Sequence, residues 1–151
     1  MKLIFETELG FLTLTEENGA LTKLSFSRAE GENSESPLLC EARRQIREYL
    51  SGQRKAFELP LAPAGTAFQR RCFDALRAIP YGTAISYAGE ALVIGRPGAC
   101  RAVGSANGKN PLPILIPCHR VLRSGGKLGG YSAGLEIKRK LLALEGIPYT
   151  E

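Results

Sequence analysis

Cys118 and His119 are the two neighbouring residues of this chain best suited to chemistry in concert. They lie in the run Ile114-Leu115-Ile116-Pro117-Cys118-His119-Arg120-Val121-Leu122, and His119 is the only histidine. Apolar residues on both sides put the thiol on the floor of a fold rather than on its surface. A buried thiol is ordinarily inert, because desolvation disfavours the thiolate. An imidazole at hand can take its proton and turn it into a nucleophile. Successive side chains of an extended segment point to opposite faces. Direct contact between Cys118 and His119 therefore needs a turn in the backbone, and otherwise one ordered water is the natural bridge. The imidazole also needs an acid on its far nitrogen to hold its tautomer. That acid must come from elsewhere in the chain.

The chain has 151 residues, enough for one ordinary domain or two small ones, and its 44% hydrophobic content predicts a packed core. No apolar run reaches the roughly 18 residues of a membrane span. Met1-Lys2-Leu3-Ile4-Phe5 is too short for a secretory signal and leads into acidic residues. Cys40, Cys72, Cys100 and Cys118 are therefore expected as reduced thiols in the cytoplasm. Their scatter, with a single histidine, does not fit a common zinc finger, and no metal or cofactor is expected. The net charge of +5 is uneven: residues 1–62 carry 8 basic and 10 acidic residues, and residues 63–151 carry 12 and 5. Such a basic half is either a solvated face or a surface for phosphates.

The patterning predicts an α+β chain in two parts, an N-terminal α/β domain over residues 1–62 and a mainly helical domain over 63–151. Leu3–Phe5, Gly10–Leu14 and Leu21–Phe26 alternate as strands, with Asn18-Gly19 as a hairpin turn. Ser36-Pro37 opens a helix that stops at Gly52. Leu59 to Gly65 reads as a linker. Beyond it, Thr66 caps a helix from about Ala67 to Ile79, Ser86 caps a short helix to about Val93, and Pro97 opens a third to about Ala106. A short helix, a glycine turn and a second helix form a helix-turn-helix pattern, with Arg101 on the recognition helix. A glycine-rich loop from Ser124 to Gly134 leads to a last helix, Leu135 to Glu145.

Eight motifs occur in order across residues 66–146: Thr66-Ala67-Phe68-Gln69, Ile79-Pro80-Tyr81-Gly82, Ser86-Tyr87, Arg101-Ala102-Val103-Gly104, Asn110-Pro111, Pro117-Cys118-His119-Arg120-Val121, Gly130-Tyr131-Ser132 and Leu141-Leu142-Ala143-Leu144-Glu145-Gly146. In these the chain resembles the methylated-DNA–protein-cysteine methyltransferases, also called O6-alkylguanine-DNA alkyltransferases. The resemblance implies a small N-terminal α/β domain with an antiparallel sheet and a C-terminal winged helix-turn-helix domain that carries the site. It implies repair by direct reversal: an O6-alkylguanine is flipped out of duplex DNA, and its alkyl group passes irreversibly to a cysteine of the protein. The partner is then double-stranded DNA met at the minor groove, by a monomer without a cofactor.

By that resemblance Cys118 is the acceptor, His119 the base acting through water, Glu145 the acid that orients His119, and Asn110 a brace for the cysteine segment. Tyr87, Tyr131, Ser132, Val121 and Pro113 belong to the base pocket. Tyr87 protonates or hydrogen-bonds the base at N3, Ser132 donates to O6, and the carbonyls of Cys118 and Val121 take the exocyclic amine. Arg101 replaces the extruded base, while Ala102, Gly104 and Ser105 let the helix approach DNA closely. The chain departs from the family at Phe73, where tryptophan is common, at Asn107, where some members are apolar, and at Cys100, where a small residue is usual. Glu145 alone reads as an acid at a helix C-terminus, where the macrodipole disfavours it. Three other readings compete: a lesion-binding relative without repair, which lacks the cysteine; a winged-helix regulator; and a cysteine hydrolase.

Overall fold

A computed structural model describes residues 1–151. The chain divides into two compact units, Met1–Ala64 and Gly65–Glu151. In the first, β1 (Lys2–Thr7), β2 (Gly10–Glu17) and β3 (Ala20–Ser25) form an antiparallel sheet in the order β1-β2-β3. The register sets Leu3 opposite Leu14, Phe5 opposite Leu12 and Leu14 opposite Leu24. Alternation thus puts one apolar row on one face. Onto it packs α1 (Pro37–Leu50), which buries Leu39, Ala42, Ile46 and Tyr49. The Ser36 hydroxyl accepts from Leu39 N–H and Pro37 opens the helix, as the sequence predicts.

The boundary between the units falls within the expected linker, Leu59 to Gly65, but its first half is not free chain. Leu61 forms a parallel bridge with Leu21, through Leu21 N–H to the Pro60 carbonyl at 2.9 Å and Ala62 N–H to the Leu21 carbonyl at 2.8 Å. The prolines keep this segment extended, and an extended segment can pair with the free edge of β3.

In the second unit α2 (Ala67–Arg77), α3 (Tyr87–Val93) and α4 (Cys100–Gly108) pack on one another around Cys72, Ala91, Ile94, Val103 and Ala106. β4 (Ile85–Ser86) pairs in parallel with β5 (Val121–Leu122). The 3-10 turn Cys118–Arg120 leads into β5, and α5 (Leu135–Glu145) closes the unit. The chain is α+β: an antiparallel sheet with a helix, then a mainly helical unit built on the α3–α4 helix-turn-helix with the β4–β5 pair beside it. Pro97 does not open α4, which begins at Cys100. Gly98 at φ +90° takes a left-handed turn that no helix can include. The helix also runs on through Asn107 and Gly108.

Thr66 and Gln69 form a reciprocal capping box at the start of α2, with Gln69 N–H to the Thr66 hydroxyl at 3.1 Å and Thr66 N–H to the Gln69 side chain at 2.9 Å. Thr66→Ala is expected to cost about 1 kcal/mol, read as a lower urea midpoint at unchanged slope.

Candidate active site

Residues 112–122 are buried without a break, so this segment threads the core of the second unit. Its path includes a strained point. Ile114, a β-branched residue, has φ +73°, and Ile116 N–H turns back to the Leu112 carbonyl at 2.8 Å. Asn110 holds this turn from outside the helix. Its carbonyl accepts from Leu112 N–H at 2.9 Å, and its amide donates to the Ile116 carbonyl at 2.9 Å and to Cys118 Sγ at 3.2 Å.

The backbone does turn at Cys118, as the pairing with His119 required. The 3-10 turn lets Cys118 face a cavity while His119 meets an acid. That acid is Glu145, at the end of α5: His119 Nε2 lies 2.6 Å from Glu145 Oε2, and both residues are buried. Arg120 grips the same carboxylate twice, from Nε to Oε1 at 2.8 Å and from Nη2 to Oε2 at 3.1 Å, and donates from Nη1 to the Ile79 carbonyl at 2.7 Å. Gly82 N–H adds a bond to Oε1 at 3.0 Å. Burial by itself would raise this carboxyl, but the hydrogen bonds from His119 and Arg120 outweigh it and hold Glu145 down at about 2. Burial pushes His119 down further than the nearby carboxylate lifts it, so the imidazole stays neutral. With Nε2 donating to a carboxylate, Nδ1 is the basic nitrogen.

Burial pushes the Cys118 thiol up, and the Asn110 amide and the Lys138 cation only partly offset it. The resting sulfur is thus a thiol, and a base must take its proton before it can attack. Lys138 was missed by sequence reasoning. It is fully buried, and Nζ donates to the carbonyls of Val121 at 2.9 Å and Gly130 at 3.0 Å. The signal was present: Lys138, Leu141, Leu142 and Glu145 follow the i, i+3, i+4, i+7 spacing of a buried helical stripe. Arg120 was likewise quoted only as part of a motif, and its grip on Glu145 depends on tertiary structure.

Cys118 opens onto a cavity of about 210 Å³ lined also by Tyr87, Gly104, Asn107, Gly108, Gly130, Tyr131 and Ser132. This is several times the ~30 Å³ share of one water. Of the five expected pocket residues, Tyr87, Tyr131 and Ser132 line it, whereas Val121 and Pro113 do not. Both are buried in the core segment, and the Val121 carbonyl receives Lys138. Tyr87 is half-buried; burial first, then the nearby Cys118, pushes its phenol up, so it keeps its proton. At Gly129, with φ +71°, a Cβ would be strained and would crowd the Arg123 side chain at 3.1 Å and the Tyr87 ring at 3.4 Å. On α4, Arg101, Ala102 and Ser105 are exposed and Gly104 packs beside the Tyr87 ring. Cys100 and Arg123 line a second hollow with Tyr87, Gly104 and Gly130.

Residues 67–147 match the family model described as 6-O-methylguanine DNA methyltransferase, DNA binding domain, and residues 2–63 match its ribonuclease-like domain. The chain is 45% identical over 157 residues to the constitutive methylated-DNA–protein-cysteine methyltransferase of Bacillus subtilis, spanning 97% of this chain and 95% of that protein. It is 43% identical over 152 residues to the methylated-DNA–protein-cysteine methyltransferase of Methanosarcina acetivorans, spanning 95% and 96%. The crystal structure of Mycobacterium tuberculosis OGT in complex with DNA superposes with a TM-score of 0.88 at 40% identity, over 95% of this chain and 91% of that one.

The buried network around Glu145 carries a stability prediction. Its carboxyl is lower in the folded chain, at about 2, than its ordinary value of 4.5. The contribution is therefore full above about pH 4.5 and lost as pH falls toward 2. Glu145→Gln leaves Arg120 buried without its counter-charge and should cost on the order of 3 kcal/mol near neutral pH. Urea unfolding of the two proteins should show this gap narrowing on acidification.

Proposed function

The chain belongs to the 6-O-methylguanine DNA methyltransferases, and from that premise we propose that it repairs O6-alkylguanine in duplex DNA by moving the alkyl group onto Cys118, once per molecule. The observation that carries this reading is a thiol that opens onto a cavity beside a neutral histidine held by a buried carboxylate.

The steps follow from the charges. His119 takes the Cys118 proton through a bridging water, and Glu145 with Arg120 stabilises the imidazolium. The sulfur then attacks the alkyl carbon in line with the C–O6 bond. As that bond breaks, its electron pair passes to the purine. The Tyr87 phenol at N3 and the Ser132 hydroxyl at O6 stabilise this charge, and the purine leaves as neutral guanine after taking up a proton. Asn110 fixes the sulfur by its amide bond and braces the turn before it. Tyr131 forms a wall, and the carbonyl of Cys118 accepts the exocyclic amine. The thioether has no group beside it able to cleave the new C–S bond, so the protein is consumed.

A base inside a duplex is out of reach of a buried sulfur, so it must be extruded. Arg101 stands on the exposed face of α4 and fills the gap left in the stack, with Ala102, Gly104 and Ser105 allowing close approach. The Mycobacterium tuberculosis OGT structure in complex with DNA supports DNA as the partner. No helix is long and apolar enough to cross a membrane. The four free cysteines favour a reducing compartment, the cytoplasm, as the place of the reaction.

Incubation with a duplex carrying one O6-methylguanine, followed by peptide mass spectrometry, should find one methyl on the Cys118 peptide and a stop at one equivalent. Binding without mass gain would instead mark a lesion sensor. Arg101→Ala should slow transfer from duplex DNA by about tenfold, roughly 1.4 kcal/mol of barrier, and slow transfer from the free methylated base less. Equal slowing with both substrates would rule out a role in extrusion.

A further inference from the structure

One buried acid has no part in this mechanism. Glu90, in the middle of α3, has no exposed surface and no ion pair. Asn107 on α4 donates from Nδ2 to Glu90 Oε1 at 2.8 Å. The remaining oxygen of each group, Glu90 Oε2 and Asn107 Oδ1, is buried without a hydrogen-bond partner. Two such orphaned acceptors on a bonded pair are costly. A single proton removes both: an O–H at Oε2 donates to Oδ1 while Nδ2 still donates to Oε1. Asn107 is also a wall of the Cys118 cavity, so the orientation of its amide sets the polarity of that wall.

The surroundings offer no cation to keep Glu90 ionised. From α2, Cys72 faces it, and the adjacent Arg71 donates instead to the Ile94 carbonyl. From α3 itself comes Tyr87, and from the 3-10 turn Cys118, both disfavoured as anions by a charge on Glu90. Across α4, Arg101 is exposed, and Cys100 forms no ion pair. β4 and β5 bring no charged side chain, and Arg123 after β5 is exposed. Burial accordingly pushes the Glu90 carboxyl up to about 7, with the Asn107 amide offsetting only part.

We propose that Glu90 is a positioning residue, held as a neutral acid in a two-bond ring with the Asn107 amide, and that this neutral pair leaves the Cys118 pocket permissive to a thiolate. The pocket role rests on the reading of Cys118 as alkyl acceptor. Ionisation of Glu90 breaks the ring and sets a negative charge near the sulfur that must itself become negative. Glu90→Gln is the matched probe, since its amide donates to Asn107 Oδ1, its oxygen accepts from Nδ2, and it cannot ionise.

Two measurements on the full chain test this. In carboxyl-¹³C-glutamate NMR, one resonance, absent in E90Q, should titrate near neutrality, well above the other glutamates; a Glu90 resonance that finishes its titration below about pH 5 overturns the neutral ring. The ratio of E90Q to wild-type rates of methyl transfer from O6-methylguanine duplex should rise roughly threefold between about pH 6 and pH 8.5, the effect of half a pK unit at Cys118. A flat ratio overturns the pocket role. No transfer to Cys118 by either protein overturns the repair reading and the pocket role with it, whereas the carbon titration, made on the wild-type chain, decides the state of Glu90 by itself.

Discussion

The buried carboxylate of Glu145 is the interaction on which the active half of the molecule depends. It ends α5, where the helix dipole is unfavourable to an anion, and it is removed from water. Both costs are met by donors from two separated stretches of chain: Arg120 and His119 from the 3-10 turn and Gly82 from the loop after α2. Tyr81 adds its hydroxyl to the Leu144 carbonyl and its ring beneath the Arg120 guanidinium. One carboxylate therefore pins the last helix, the cysteine turn and the α2 exit together. It also settles which nitrogen of His119 is basic.

The electrostatic design separates like groups by their partners. Glu145 and Glu90 are both buried glutamates of one unit. Glu145 is held at about 2 because a guanidinium and an imidazole N–H outweigh its burial; Glu90 is pushed up to about 7 by burial, which its one donor, the Asn107 amide, offsets only in part. The sulfur follows the same logic. Cys118 rests as a thiol because burial outweighs the help of Asn110 and Lys138. A thiol kept neutral until a base draws off its proton is spared adventitious oxidation.

Much of this was legible in the linear chain. Short-range rules are local: the Ser36-Pro37 start, the Thr66 cap and the Asn18-Gly19 turn depend on residues within one turn of each other, and each forms as read. The start of α4 was misread because Pro97 is an ordinary helix opener until Gly98 adopts a left-handed φ. The bridge at Leu61, within the linker, was not legible because its partner, Leu21, lies far off in sequence and offers a sheet edge. Lys138 and Glu90 escaped notice because a charged residue is assumed to face water unless its neighbours can satisfy it.

The sequence by itself determined the α+β division, the helix-turn-helix pattern and the adjacency of Cys118 and His119 in an apolar run, since these rest on periodicity, caps and neighbouring positions. Only the tertiary structure decided that the acid on His119 shares its charge with Arg120, that Lys138 ties the cysteine segment to the glycine-rich loop, and that Asn107 rather than Val121 or Pro113 forms a cavity wall. The reason is desolvation. Whether a polar group is charged, paired or costly depends on which atoms surround it once water has left, and those atoms come from distant parts of the chain.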